Sequence, residues 1–173
     1  SHMMMTMVGM PQTVITRVHG TATAAGCQLV ANSDLAIASS TAQFAVSGVN
    51  LGLFCSTPGV ALSRNLSRKR AYEMLMTGEF IDAPTALEYG LVNRVVAPEI
   101  LDKTVMALAQ NIARKPAETL RLGKSLFYRQ LEHSLEQAYR DAGEIMASNM
   151  MFEDAGEGID AFIEKREPDW LNS

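Results

Sequence analysis

Apolar positions change period along this chain. TVITRVHG, residues 13–20, alternates at period two through Val14, Thr16 and Val18 and closes on Gly20, which predicts a strand. AAGCQLVANS, residues 24–33, predicts a short helix ended by the turn-prone Asn32-Ser33-Asp34. DLAIAS, residues 34–39, is apolar enough for a buried strand. Strand, short helix, strand is a βαβ unit, so the two strands should run parallel with a right-handed crossover. AQFAVS, residues 42–47, is a further short strand candidate.

Helical spacing then takes over. RKRAYEMLMTG, residues 68–78, predicts a helix capped by Gly78, and IDAPTALEYG one with Asp82 as N-cap, Pro84 in the first turn and Gly90 as stop. LVNRVV is a brief strand. Leu101, Val105, Leu108 and Ile112 share one face of a helix over 98–114, and another runs from Pro116 to about Leu131. Ser134 with Gln137 forms a capping box for a helix whose stripe is Leu135, Ala138, Ala142, Ile145 and Met146. Asp154 with Glu157 repeats that signature before a last helix, which stops ahead of Pro168. Strands crowd the first third and helices fill the rest. Three or four strands in one sheet would leave an edge or face to be covered by another chain or by further sequence.

Composition narrows the classes. The chain has 173 residues, 47% hydrophobic and 20% charged, enough to bury a core. A net charge of −4 argues against a nucleic-acid or anionic-membrane footprint. The cluster Arg64…Arg68-Lys69-Arg70 is short and reads as a solvated loop and helix start. Ser1-His2-Met3 reads as a tag remnant, and Met4 to Met10 is too short for a signal peptide. No apolar run reaches the ~20 residues of a membrane span. Cys27 and Cys55, with no secretory segment, suggest reduced thiols and a cytoplasmic setting. No Cys/His cluster suggests a metal.

The stretch from Val14 to Val96 resembles the core of the crotonase family, the enoyl-CoA hydratase/isomerase group. The family pattern M-x-x-T-G-x-x-x-x-A-x-x-A-x-x-x-G-L-V is matched from Met74 to Val92, and GIDAFIEKREPDW, residues 158–170, resembles the family's closing segment. Within the family the likeness is to the domain-containing members that lack the hydratase acids. The resemblance implies an α/β fold: a crotonase-like ββα superhelix, truncated at its N-terminus, over residues 4–97. A helical trimerisation region follows over 98–173. It also implies an acyl-CoA or enoyl-CoA thioester as ligand, coenzyme A entering only as part of that substrate, no separate cofactor, and a trimeric or hexameric homo-oligomer.

The resemblance assigns residues. The family holds a thioester carbonyl oxygen on two backbone N–H groups that stabilise an enolate. One lies at a helix N-terminus, matched here by Ala24-Ala25-Gly26 with the Ala25 amide as donor. Small residues merely permitting close helix–strand packing is the alternative. Hydration needs two carboxylates, and their positions carry Gln28 and Gly48. An amide exchanges no proton near pH 7 and glycine has no side chain, so ordinary hydratase activity is not expected. Gln28 either meets a water or substrate, or satisfies local backbone.

NLGLFCSTPG, residues 50–59, would line the acyl pocket, with Asn50, Cys55 and Ser56 as polar candidates. Cys55 is either a pocket thiol or an inert half-buried one. Cys27, near a helix start and His19, would have a lowered pKa, which leaves a Cys–His hydrolase as a rival reading. Phe162 and Lys165 match residues that meet the nucleotide end of coenzyme A, against core packing and solvation as alternatives. His133 precedes a cap and should be solvated. Beside an enzyme acting through a thioester enolate, a non-catalytic acyl-CoA-binding or assembly protein stays open.

Overall fold

A computed structural model describes residues 1–170, which divide into two compact units: residues 1–8 with 14–108, and 9–13 with 109–170. The first unit holds α1 (His2–Gly9), β1 (Ile15–Val18), β2 (Thr21–Thr23), α2 (Ala25–Asn32), β3 (Leu35–Ser39) and β4 (Gln43–Ala45). A 3-10 turn at Ser47–Leu51 leads to α3 (Ser56–Asn65), α4 (Arg68–Thr77), β5 (Ile81–Asp82), α5 (Ala83–Tyr89) and β6 (Arg94–Val96). α6 (Leu101–Ala113), α7 (Ala117–Gln130), α8 (Leu135–Asn149) and α9 (Glu153–Glu164) follow.

Two three-stranded sheets replace the single sheet expected. β1-β3-β6 is all parallel, with Ile15 opposite Leu35 and Ile37 opposite Arg94. In β2-β4-β5, β2 and β4 are parallel and β5 is antiparallel. Gly20 therefore does not end the extended segment. It marks the bend at which one run leaves the first sheet and enters the second, so β1-β2-α2 is a ββα unit and β3-β4 opens the next. This is the alternation the crotonase resemblance implies. Asn93 locks β3 to β6 from outside the ladder: its side-chain oxygen accepts from the Ala36 amide at 2.7 Å and its own amide donates to the Ala36 carbonyl at 2.8 Å.

Between the sheets and α2–α5 lies a core in which Phe44, Val46, Leu62 and Met74 are fully buried. Burying each such side chain contributes about 1.5–3 kcal/mol. The alternation in β3 fails because both its faces are covered, as its run of buried Ala36, Ile37, Ala38 and Ser39 shows. α5 follows its sequence signals closely: the Asp82 carboxylate accepts from the Thr85 amide at 2.9 Å, and Gly90 closes the helix at φ 81°.

In the second unit, Ser134 caps α8 by accepting from the Gln137 amide at 3.4 Å. The reciprocal half of the expected box does not form, because the Gln137 side chain donates to Asp141 at 2.7 Å instead. Asp141 also faces His133 Nδ1 at 3.1 Å and Arg129 at 3.7 Å, so His133 is a paired group rather than a solvated one. The Asp154–Glu157 cap is not formed either. α9 starts two residues earlier with Phe152 as N-cap, which places Asp154 inside the first turn and buries it. The Glu157 carboxylate is taken by Arg166 at 2.6 and 2.9 Å and by the Asp169 amide at 2.7 Å. Those bonds hold its pKa down to about 2 and fold the tail back on α9, with Trp170 against Gly158.

Candidate active site

β2 and β4 run side by side, and each ends in a tight turn. At the first, β2 passes into α2 through a single residue. Ala24 takes φ 47°, ψ −112°, while its amide donates to the Ala45 carbonyl of β4 at 3.0 Å. A side chain in this half of backbone space costs about 1–3 kcal/mol. The gain is geometric: the chain reverses at once, and α2 begins with Ala25, Gly26 and Cys27 as its first three residues. Amides at these positions have no acceptor inside the helix, and Ala24 has no side chain with which to cap them. Ala25 is exposed, and a Cβ added at Gly26 would meet nothing within 4 Å. Close packing therefore does not account for the small residues here; the helix start faces open space.

Gln28 sits one turn further on. Its residue is 8% exposed, and its side-chain amide bonds to no other described residue. The local-backbone role allowed by the sequence is thus not taken up.

The second turn leaves β4 at Ala45 and enters the 3-10 segment, tied to the first by a 3.3 Å contact between the Thr23 and Ser47 hydroxyls. Gly48 is crowded. An ideal Cβ there would lie 2.6 Å from the Leu53 carbonyl oxygen and 2.7 Å from Cys55 Sγ. The Gly48 amide donates to that sulfur at 3.3 Å, and the Leu53 amide donates to the Gly48 carbonyl at 3.0 Å. From the other side Asn50 donates to the Gly78 carbonyl at 3.3 Å, so the returning segment is held at both ends. The position expected to have lost an acid has also lost the room for one. Sequence alone could not show this, because the blocking atoms return through a loop with no local signature. Beyond Gly48, Leu51, Leu53 and Phe54 are exposed apolar residues.

The two cysteines differ. Cys27 is fully buried in the core, and desolvation, with Cys55 as a lesser cause, pushes its thiol up to about 12. This corrects the lowered pKa expected from a helix start: α2 turns Cys27 inward, where burial outweighs the helix dipole. With His19 exposed on the surface, the Cys–His hydrolase reading falls. Cys55 is half-buried as the N-cap residue of α3.

The basic cluster lies elsewhere in this unit. A groove of about 800 Å³ at the start of α4 is lined by Ser67, Arg68, Lys69, Arg70, Tyr72 and Glu73, and Arg70 is engaged with Tyr89 and Glu88. In the second unit Phe162 is 85% exposed, so core packing does not explain it. Lys165 ends α9 in the left-handed conformation, φ 56°, exposed and in no ion pair with another described residue. No group of three or more His, Cys, Asp or Glu among the described residues could hold a metal.

The family model for enoyl-CoA hydratase/isomerase matches residues 1–173. The chain belongs to the enoyl-CoA hydratase/isomerase family. Among curated relatives, the mitochondrial enoyl-CoA hydratase domain-containing protein 3 of Xenopus laevis is 51% identical over 164 residues, which cover 95% of this chain and 56% of that protein. The human protein of the same name is 48% identical over 170 residues, covering 98% and 56%. The chain thus spans little more than half the length of these relatives. Among solved structures, an enoyl-CoA hydratase of Mycobacterium smegmatis is 59% identical with TM-score 0.95, covering 96% of this chain and 65% of that one. The human domain-containing protein 3 matches with TM-score 0.95 at 48% identity, covering 98% and 67%. The crotonase fold implied by the sequence is therefore the fold of this enoyl-CoA hydratase/isomerase family chain. Enoyl-CoA hydratases of the family need no cofactor beyond the coenzyme A of the substrate. The cytoplasmic expectation is corrected: the vertebrate relatives are named as mitochondrial. Cysteine usage reports a reducing environment and carries no address, which is why it misled.

Proposed function

We propose that this chain binds an acyl-CoA thioester with its carbonyl oxygen on the Ala25 amide, stabilising enolate character at that oxygen, and lacks ordinary hydratase activity. The observation that carries this reading is the start of α2. Its amides lack intrahelical acceptors and face open space, where the dipole favours developing negative charge. The two groups hydration requires are not there: Gln28 exchanges no proton, and Gly48 is occupied space. Leu51, Leu53 and Phe54 suit an apolar acyl chain or a second copy. Phe162 offers an aromatic face, and Lys165 a cation with no ion partner among the described residues, to the nucleotide end of coenzyme A held by a neighbouring copy of the chain. Exposed Phe162 and Ile163, 69% exposed, suit burial in a homo-oligomer of the trimeric kind.

The crowding at Gly48 favours a second reading, a non-catalytic acyl-CoA-binding protein. Butyryl-CoA in deuterated buffer separates the two. Binding without deuterium entering the α-carbon supports the second, while exchange at that carbon, which requires enolate character, supports the first. No binding of any CoA thioester rejects both.

A further inference from the structure

The basic groove at the start of α4 takes no part in the thioester site. Arg64, Arg68, Lys69 and Arg70 put four cations within seven residues of a chain whose net charge is −4. Three of them line one groove of about 800 Å³, a size that holds a small ligand. Its one lining carboxylate, Glu73, lies 3.6 Å from Arg70. Arg70 also donates to Glu88 at 3.2 Å and sits 4.3 Å above the Tyr89 ring, so that guanidinium is held in place. Arg68 and Lys69 are exposed and pair with no other described residue. The groove therefore keeps a positive charge that nothing else among the described residues answers. Every helix start leaves amides without intrahelical acceptors; what marks this one is the charge around it. The Ser67 hydroxyl makes no cap bond, so the first amides of α4 gain no acceptor from it. Cations in a first turn also face the positive end of the helix dipole, and an anion seated between them turns that repulsion into attraction.

We propose that this groove binds a diphosphate group. The inference goes beyond the acyl-CoA reading and does not depend on it. Arg68 and Lys69 adjoin in sequence and so diverge by about 100° around the helix, which spaces their charges for two phosphoryl groups rather than one. A guanidinium takes phosphate oxygens in pairs, and an ammonium acts as a point charge, so the two side chains complement each other on such an anion. A single carboxylate engages one of them and leaves the other unanswered. Tyr72 stands one turn after Arg68 on the same face and is 61% exposed, which gives a base carried by the diphosphate a ring to stack on. Free diphosphate and a nucleoside diphosphate share this chemistry.

The test is calorimetric titration of the full chain with sodium pyrophosphate and with ADP, at one ionic strength set by sodium chloride so that screening stays constant. Pyrophosphate should bind with a dissociation constant below about 1 mM. Arg68→Gln combined with Lys69→Gln should weaken it by about tenfold or more, the loss expected for bonds to charged groups. Both positions are exposed and glutamine suits a helix, so the unfolding midpoint of that double variant without ligand should hold or rise. ADP binding tighter than pyrophosphate, with the excess lost in Tyr72→Ala, assigns the diphosphate to a nucleotide, and ADP binding no tighter assigns it to the free anion. No pyrophosphate binding above the chloride control overturns the inference, as does binding that survives the double variant. An equal loss in Lys165→Gln also overturns it, because the anion then sits at the position proposed for coenzyme A. The wild-type titration needs no variant, so a poorly folding double variant does not protect the proposal.

Discussion

The turns at Ala24 and Gly48 leave neighbouring strands of one sheet, and each carries a position that the resemblance matches to a hydratase acid. The two positions differ in the room they leave for one. At the first turn the side-chain space survives: Gln28 has nearly the shape of a glutamate, is buried and bonds through its side chain to no other described residue. At the second the space is filled by the Leu53 carbonyl and Cys55 Sγ, in a segment whose Asn50 donates to the Gly78 carbonyl. A missing functional group is thus compatible with a retained binding site at one position and a rebuilt backbone at the other.

The sharpest way to break this contrast is to refill Gly48. Gly48→Ala should cost about 1–3 kcal/mol in denaturant unfolding, because backbone at Leu53 must move, and Gly48→Glu should cost more. A variant with Glu at both 28 and 48 should then gain no hydratase activity toward crotonyl-CoA. Either a stable Gly48→Ala or a double variant that hydrates would show that the second turn is as open as the first. Ala24→Gly probes the other side. It relieves a side chain held at φ 47° and should stabilise the protein by about 1 kcal/mol, read as a higher unfolding midpoint.

The thiols give a smaller, two-sided test. A thiol reagent at neutral pH should modify Cys55 in the folded chain and reach Cys27 only after denaturation. The sign of the pH effect follows from the raised Cys27 pKa. The unfolded thiol ionises near its ordinary value, 9.0, and the folded one near 12. Stability from this group is therefore complete below pH 9 and declines between about 9 and 12. Cys27→Ser should flatten that alkaline decline, and a decline unaltered in the variant would place its cause elsewhere.

Elements with local signals were legible. The Asp82 cap, Pro84 and the Gly90 stop specify α5 within ten residues, and the parallel pairing of β1 with β3 follows from the short crossover. What sequence hid depends on distant atoms. Gly20 looked like an end and is a change of sheet, because β2 is specified by pairing with β4 rather than by its own three residues. Asp154 and Glu157 had cap spacing, but Arg166 outcompeted the helix start for the carboxylate. Cys27 stood near a helix start, yet the orientation of α2 decides whether dipole or burial governs it. In the site, the α2 turn was readable because its small residues adjoin in sequence. The crowding at Gly48 was not, since Leu53 and Cys55 arrive from five and seven residues away.

Crowding at Gly48 also makes the two turns unequal as places to redesign. A carboxylate at position 28 takes one amide-to-acid exchange in a side chain of nearly the same shape. A carboxylate at position 48 first requires moving the Leu53 carbonyl, so every single substitution there meets a folding cost before any chemistry can appear. New function is therefore cheaper to install at the start of α2 than at the second turn.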